Sequence, residues 1–175
     1  MSGQESVSPT PEVHSPAPRP RGRVLHIHTA AGAGLPVQAR DRVEARAGGG
    51  LVGDRYDARA GHWSPIKRRG DWLSLIEQEE IDRLRVSWGL ALDPGETRRN
   101  ITTEGIRLDD LLGRQFRIGE AICYGVRHCE PCTYLEQLLG REIIYPLVHR
   151  AGIRVEILAG GLISTGDPIH LADED

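Results

Sequence analysis

Several residue types are scarce in this chain, and each scarcity excludes something. Lysine occurs once, as Lys67, among 22 basic residues, and phenylalanine and methionine also occur once each. A Schiff-base amine would therefore have to be Lys67, which sits in the basic run Ile66-Lys67-Arg68-Arg69 and reads as part of a solvated turn. With aromatics at only 5%, the core must be aliphatic. The three cysteines, Cys123, Cys129 and Cys132, read as thiols, because no apolar segment follows a basic start to act as an export signal. A cytoplasmic location is the expectation that goes with this. No apolar run approaches the ~18–20 residues of a membrane span, so no membrane partner is expected. Positive charge is not in excess either. The balance of 22 Lys+Arg against 25 Asp+Glu leaves a net charge of -3, so nucleic acid is not expected as a partner.

What remains is an ordinary globular composition: 175 residues, 39% hydrophobic, 27% charged, and rich in turns with 21 glycines. That is about one domain's worth of chain. Residues 1–20 hold five of the 11 prolines and four serines with few apolar side chains, and are expected to form a disordered tail ahead of a single domain over 21–175. No internal repeat is visible. Strand signals dominate the rest. Val24–His28 is short and apolar-rich, and residues 37–45 show a period of two interrupted at Asp41. The glycine-dense Gly48–Arg55 reads as a turn. Alternation then places Ile122, Tyr124 and Val126 on one face of a strand over 118–126, recurs at Ile153, Val155 and Ile157, and is followed by a last strand over 169–171. Helices are expected over 77–88 ending at Gly89, over 108–112 closed by Gly113, over 133–139 capped by Thr133 and stopped by Gly140, and from Pro146 to Arg150. Many short strands with a few short helices at the connections predict a mainly β fold, a closed or nearly closed β-barrel.

Three stretches carry chemistry. Arg127-His128-Cys129-Glu130-Pro131-Cys132-Thr133 places a Cys-x-x-Cys between a strand end and a helix start. That setting favours a thiolate, the form that binds a soft metal, carries a persulfide or attacks a disulfide. A structural zinc site would need further ligands, with Cys123, His26, His28 and His149 as candidates. A thioredoxin-like pair should follow the first strand of a βαβ unit, whereas this one comes late in a β-rich chain. Two half-buried thiols without a task are the third reading. The second stretch, Arg98-Arg99-Asn100, offers guanidinium forks that match phosphate or carboxylate, although adjacent residues on a strand face opposite ways and one arginine can simply be solvated. In the third, Gly53-Asp54-Arg55-Tyr56, Asp54 orients Arg55 or a ligand donor, or the segment is no more than a turn. His26 and His28 share one strand face with no third ligand nearby in sequence.

In this order and at these separations the stretches resemble the MOSC domain, the module also found at the C-terminus of molybdenum cofactor sulfurases. The resemblance runs from about Val24 to Leu171. It is carried by Gly50-Leu51-Val52-Gly53-Asp54-Arg55, by Leu73-Ser74-Leu75-Ile76-Glu77-Gln78-Glu79 and by Arg98-Arg99-Asn100-Ile101. It continues through Gly105 and Leu111–Glu120, Cys129-Glu130-Pro131-Cys132 and the closing Gly161–Ile169. The resemblance implies a β-barrel-like fold that binds the molybdenum cofactor, a molybdenum held by a pterin dithiolene. Cys132 falls where a family cysteine ligates the metal or carries sulfur as a persulfide. Arg98 and Asn100 match residues that hold the pterin phosphate, and Ser74 falls where a small hydroxyl residue sits. Arg99, Asp54 and Arg55 complete the expected cofactor-binding set. Tyr56 departs from the histidine common at that position. The implied activities are reduction of small N-oxygenated substrates and sulfur transfer, served by an outside electron- or sulfur-donor protein. Cys129 is a candidate second catalytic thiol that forms a disulfide with Cys132, or it is filler. The alternatives are a non-catalytic carrier or store of the cofactor and a structural zinc or thiol protein. Pyridoxal phosphate is not expected, since no persuasive cofactor lysine is present.

Overall fold

A computed structural model describes residues 21–66 and 68–172. The tail expected over 1–20 and the lone Lys67 lie outside the described residues. Ten strands are present: β1 (Arg21–Thr29), β2 (Gln38–Arg40), β3 (Arg42–Ala45), β4 (Leu73–Glu77), β5 (Ile101–Glu104), β6 (Gln115–Ile118), β7 (Ala121–His128), β8 (Ile153–Ala159), β9 (Gly161–Ser164) and β10 (Pro168–Leu171). Three short helices join them: α1 (Gln78–Trp88), α2 (Thr133–Leu139) and α3 (Ile144–Leu147). Two 3-10 turns cover Pro94–Thr97 and Leu108–Leu111.

Seven strands form a ring in the order β10-β6-β7-β8-β4-β5-β1, and the pairing of β1 with β10 closes it. Closure matters because it leaves the ring with no row of unpaired backbone groups. The β4–β5 pair is parallel and needs a crossover, which α1 and the Pro94–Thr97 turn supply. Beyond the ring, β2 lies on β1, and β3 pairs with β9 as a separate ribbon. The barrel expected from the alternating pattern is therefore the fold observed.

The interior follows from the scarcity of aromatics. Inward positions carry Val24, Ile27, Leu75, Ile101, Ile118, Ile153, Val155 and Ile157, with the only phenylalanine, Phe116, fully buried among them. Each such aliphatic side chain contributes roughly 1.5–3 kcal/mol on burial. A second apolar cluster sits outside the ring. Ile81 and Leu84 of α1, Leu135 of α2 and Leu147 of α3 pack there with Ile76, and Cys132 lies against its edge.

Several elements differ from expectation for identifiable reasons. Ile122, Tyr124 and Val126 do share a face of β7, but the barrel takes the other one, Ala121, Cys123 and Gly125. At Gly125 the backbone of Leu111 lies so close that no side chain fits, and a bridge from Leu112 replaces it. All five residues of β4 are buried, so it has no alternation to reveal it, and Glu77 caps α1 instead of opening it. Cys132, extended at φ -145°, takes the cap position of α2 in place of Thr133, while Gly140 ends that helix as expected. The helix expected to start at Pro146 begins two residues earlier, with Pro146 still in its first turn, where its missing N–H costs nothing. The segment over 108–112 is a 3-10 turn.

Candidate functional site

A cavity of about 410 Å³ lies against the outer face of the barrel wall. Its walls come from the loop after β1, the long β3–β4 loop, the Arg98-Arg99 pair before β5, the start of β8, and the segment from the end of β7 into α2. Six arginines line it: Arg55, Arg68, Arg98, Arg99, Arg127 and Arg154. Among the described residues only two carboxylates do so, Asp71 and Glu130.

The arginines are held in place by different means. Asp54, fully buried beneath the cavity, accepts from the amide of Ala30 and from Arg55 Nη1, both at 3.0 Å, and from the amide of Tyr56 at 3.1 Å. Asp54 thus orients Arg55, whose Nη2 donates to the Arg98 carbonyl at 2.9 Å. Arg98 stands at φ 56°, a left-handed conformation that is costly for a side chain with a Cβ, and it ends the Pro94–Thr97 turn. Its Nη1 donates to the Leu35 carbonyl at 2.9 Å, while its Nη2 is buried without a partner. Burial and the nearby Arg55 both lower its pKa. A buried donor left unsatisfied on a guanidinium is an observation that points to an anion.

Arg99 is buried and does different work. It donates to the carbonyls of Ala151 and Cys129, both at 2.8 Å, and of Thr97 at 3.3 Å. Because the Cys129 amide also donates to Gly152 at 2.8 Å, the first cysteine of the motif is pinned on both sides of its backbone. Cys129 is buried, whereas Cys132 is half-buried at the cavity wall. Glu130 accepts from the His149 amide at 2.9 Å and meets its Nδ1 at 2.7 Å, tying the cysteine turn to the segment after α3. An apolar and aromatic wall faces these groups. His62 stacks on Tyr134 at 3.9 Å and 7°, Trp63 meets His62 edge-on, and Tyr56 lies under Arg55 and Arg154.

Of the residues singled out from sequence, the structure brings Cys129, Cys132, Arg55, Arg98 and Arg99 to this cavity, with Asp54 just behind. It does not bring Ser74 or Asn100. Both are buried and they bond to each other: Asn100 Oδ1 accepts from the Ser74 amide and hydroxyl at 3.2 and 3.0 Å, and the Asn100 amide donates to Ser74 Oγ at 3.2 Å. Asn100 Nδ2 donates to the His28 carbonyl at 3.3 Å, so the pair fastens β4 and β5 to β1. The zinc alternative finds no support in the ligand geometry. Among the described residues no group of three His, Cys, Asp or Glu is placed to hold a metal ion. Cys123 lies inside the barrel, where burial pushes its pKa up to about 12. His28 is on β1, its pKa lowered by burial and by His26. The sequence reading missed Asp71, Arg68, Arg154, His62, Trp63 and Tyr134. Arg154 stands in β8 between two inward aliphatics, which marked it as outward-facing, but no local pattern showed that a cavity lay on that side.

A family model for the MOSC domain matches residues 69–170, more than half of the chain. The chain belongs to the MOSC domain family. Solved structures show the same architecture. The YuaD protein from Bacillus subtilis matches with a TM-score of 0.72 at 18% identity, over 87% of this chain and 96% of that one. YiiM from Geobacillus stearothermophilus matches with a TM-score of 0.64 at 16% identity, over 86% and 75%. YiiM from Escherichia coli matches with a TM-score of 0.61 at 19% identity, over 86% and 69%. At these identities the likeness shows the fold alone. No curated protein matches. Membership of the MOSC family associates the chain with the molybdenum cofactor in general terms. The matched segment of this MOSC domain includes Asp71, Arg98, Arg99, both cavity cysteines and Arg154, while Arg55, His62 and Trp63 lie upstream of it.

Proposed function

We propose that this MOSC domain binds the molybdenum cofactor in the arginine-lined cavity and uses it in an enzyme reaction, reduction of a small N-oxygenated substrate, with Cys132 as the protein ligand to the metal. The observation that carries this reading is the meeting, in one cavity, of a half-buried thiol with a buried Arg98 nitrogen that lacks a partner. The donor set suits the group. A thiolate is a soft ligand for a soft metal, guanidinium forks suit phosphate, and the flat His62–Tyr134 stack suits a planar pterin. When bound, molybdenum supplies two-electron chemistry coupled to oxygen-atom transfer.

The chain's own residues have separate tasks. Arg98 and Arg55 would hold the cofactor phosphate, Arg55 being oriented by Asp54. Arg99 holds the Cys129 carbonyl and so fixes the turn that presents Cys132. Electrons come from a second protein. Sulfur transfer through a Cys132 persulfide is the second reading, favoured by Cys129 on the same cavity three positions away.

The test is metal content of protein made in a host with an intact molybdenum cofactor pathway. About one molybdenum per chain is expected, with loss of most of it in Cys132→Ser and at least a several-fold reduction in Arg98→Gln. Cofactor retained by Cys132→Ser together with loss of cyanide-labile sulfur selects the persulfide reading. Unchanged molybdenum and unchanged sulfur in that variant overturn both.

A further inference from the structure

Asp71 gathers three of the six cavity arginines from three separate segments. Its carboxylate bonds Arg127 Nη2 through Oδ1 and accepts the Arg68 amide at Oδ2, 3.1 Å away, while its carbonyl accepts from Arg154 Nη1 at 3.4 Å. Arg127 and Arg154 are also register partners across the β7–β8 ladder. Like charges placed opposite one another on a ladder repel, and here the Asp71 carboxylate meets the guanidinium of Arg127 alone, Arg154 reaching only the Asp71 carbonyl. The guanidinium of Arg154 lies 5.3 Å from the centre of the Tyr56 ring. Burial works against its charge, yet the facing Cys129, Tyr56 and Asp71 outweigh burial and raise its pKa. The group is thus a set of guanidiniums brought together by one residue, with a single carboxylate, Asp71, ion-paired to it among the described residues.

Arg55 and Arg98 are tied to each other and, through Arg55, to Asp54, not to Asp71. Arg55 has Asp54 to itself, and Arg98 holds the unpartnered nitrogen. On the reading given above, the cofactor phosphate belongs to that side. One phosphate there leaves the Asp71 group uncompensated. We propose that Arg68, Arg127 and Arg154 form a second anion subsite, which takes a carboxylate or phosphate group on the substrate. The inference rests on that reading for what occupies the first subsite, but not for the existence of the second. Guanidinium forks fit both anions bidentately, and the subsite shares the cavity with Cys132, so an anionic group bound there anchors the remainder of the substrate within the same cavity. The substrate class is accordingly an N-oxygenated compound that also bears an acidic group.

The experiment is a titration of the full chain, free of cofactor, with inorganic phosphate at constant ionic strength, following the arginine Nε–H resonances by NMR. Two isotherms are expected, one reported by Arg98 and the other by Arg127 and Arg154. Arg68→Gln removes a cavity guanidinium whose only hydrogen bond in the group runs through its backbone, so the fold is kept. It should weaken the second isotherm about tenfold, as for loss of one charge-assisted contact, and leave the first unchanged. Arg98→Gln should do the reverse. Arg127 and Arg154 resonances that do not move, that follow the Arg98 isotherm, or that respond normally in Arg68→Gln overturn the proposal. Repeating the titration on molybdenum-loaded protein separates the sources of the anion. A second subsite still open to phosphate supports the substrate assignment, and one already filled overturns it by giving the subsite to the cofactor. Neither NMR arm on cofactor-free protein depends on Cys132, so failure here is distinct from failure of the metal test.

Discussion

Asn100 and Arg99 are neighbours in sequence, and the structure gives them unrelated tasks. The side chain of Asn100 closes a hydrogen-bonded pair with Ser74 and reaches the His28 carbonyl, while Arg99 turns to the cavity side and grips the cysteine turn. Asn100→Ala should therefore lower the urea midpoint by an amount equivalent to about 1–3 kcal/mol, since buried partners are left unsatisfied, with phosphate still binding at Arg98. Loss of anion binding without loss of stability would return Asn100 to the cavity. At this scale the sequence made the residue types legible and not the direction in which they point. Arg98, Cys129 and Cys132 stood out because they cluster in short motifs. Asp71, Arg127 and Arg154 come from distant segments, and only strand register places them together.

At the scale of elements, the fit between segments rests on a few glycines and on one clamp. Gly152 stands at φ 87° just before β8, with the Leu75 carbonyl where a Cβ would go, so both conformation and space exclude a side chain. Gly152→Ala should destabilise the protein by more than about 4 kcal/mol or prevent folding. Gly140→Ala, with φ 62° but open space around it, should cost only about 1 kcal/mol, and chemical denaturation of the two variants reads the difference. The clamp is Glu130 on His149. Its slight burial favours the neutral acid, but the His149 amide and ring, together with the charges of His149 and His128, outweigh this and hold its pKa below the ordinary 4.5. A depressed carboxylate pKa stabilises fully above the unfolded value and loses that contribution as pH falls through the folded one. The His149 amide should lose protection, relative to its intrinsic exchange rate, as pH drops below about 4.5, and Glu130→Gln should show no such step. Alternation and helix stops revealed β1, β8, α1 and α2. The wholly buried β4 escaped because a strand covered on both faces has no period of two to display.

For the whole molecule, a net charge of -3 conceals a strongly cationic cavity wall. Composition alone excluded bulk attraction to polyanions and was silent on a local one, because opposite charges cancel in a sum but not in a cavity. Association of a small anion should accordingly be fast at low ionic strength and slow by roughly tenfold in ~1 M salt, as measured by stopped-flow with a phosphate-bearing fluorophore. A rate insensitive to salt would mean that the arginine charges are already balanced in solution. Among the described residues, no helix is long and apolar enough to cross a membrane.

The ring is closed by β10, which pairs with both β1 and β6. During synthesis β1 emerges before β10, and its Arg21–Arg23 end lacks its ring partner until Pro168–Leu171 has been made, while β2 pairs further along the strand. The cavity walls draw on early and late segments, from Ala33 to Arg154, so a nascent chain lacks a complete cavity until β8 has emerged. The cavity is therefore assembled late in synthesis, and a small molecule that enters it meets a nearly complete barrel rather than a growing one.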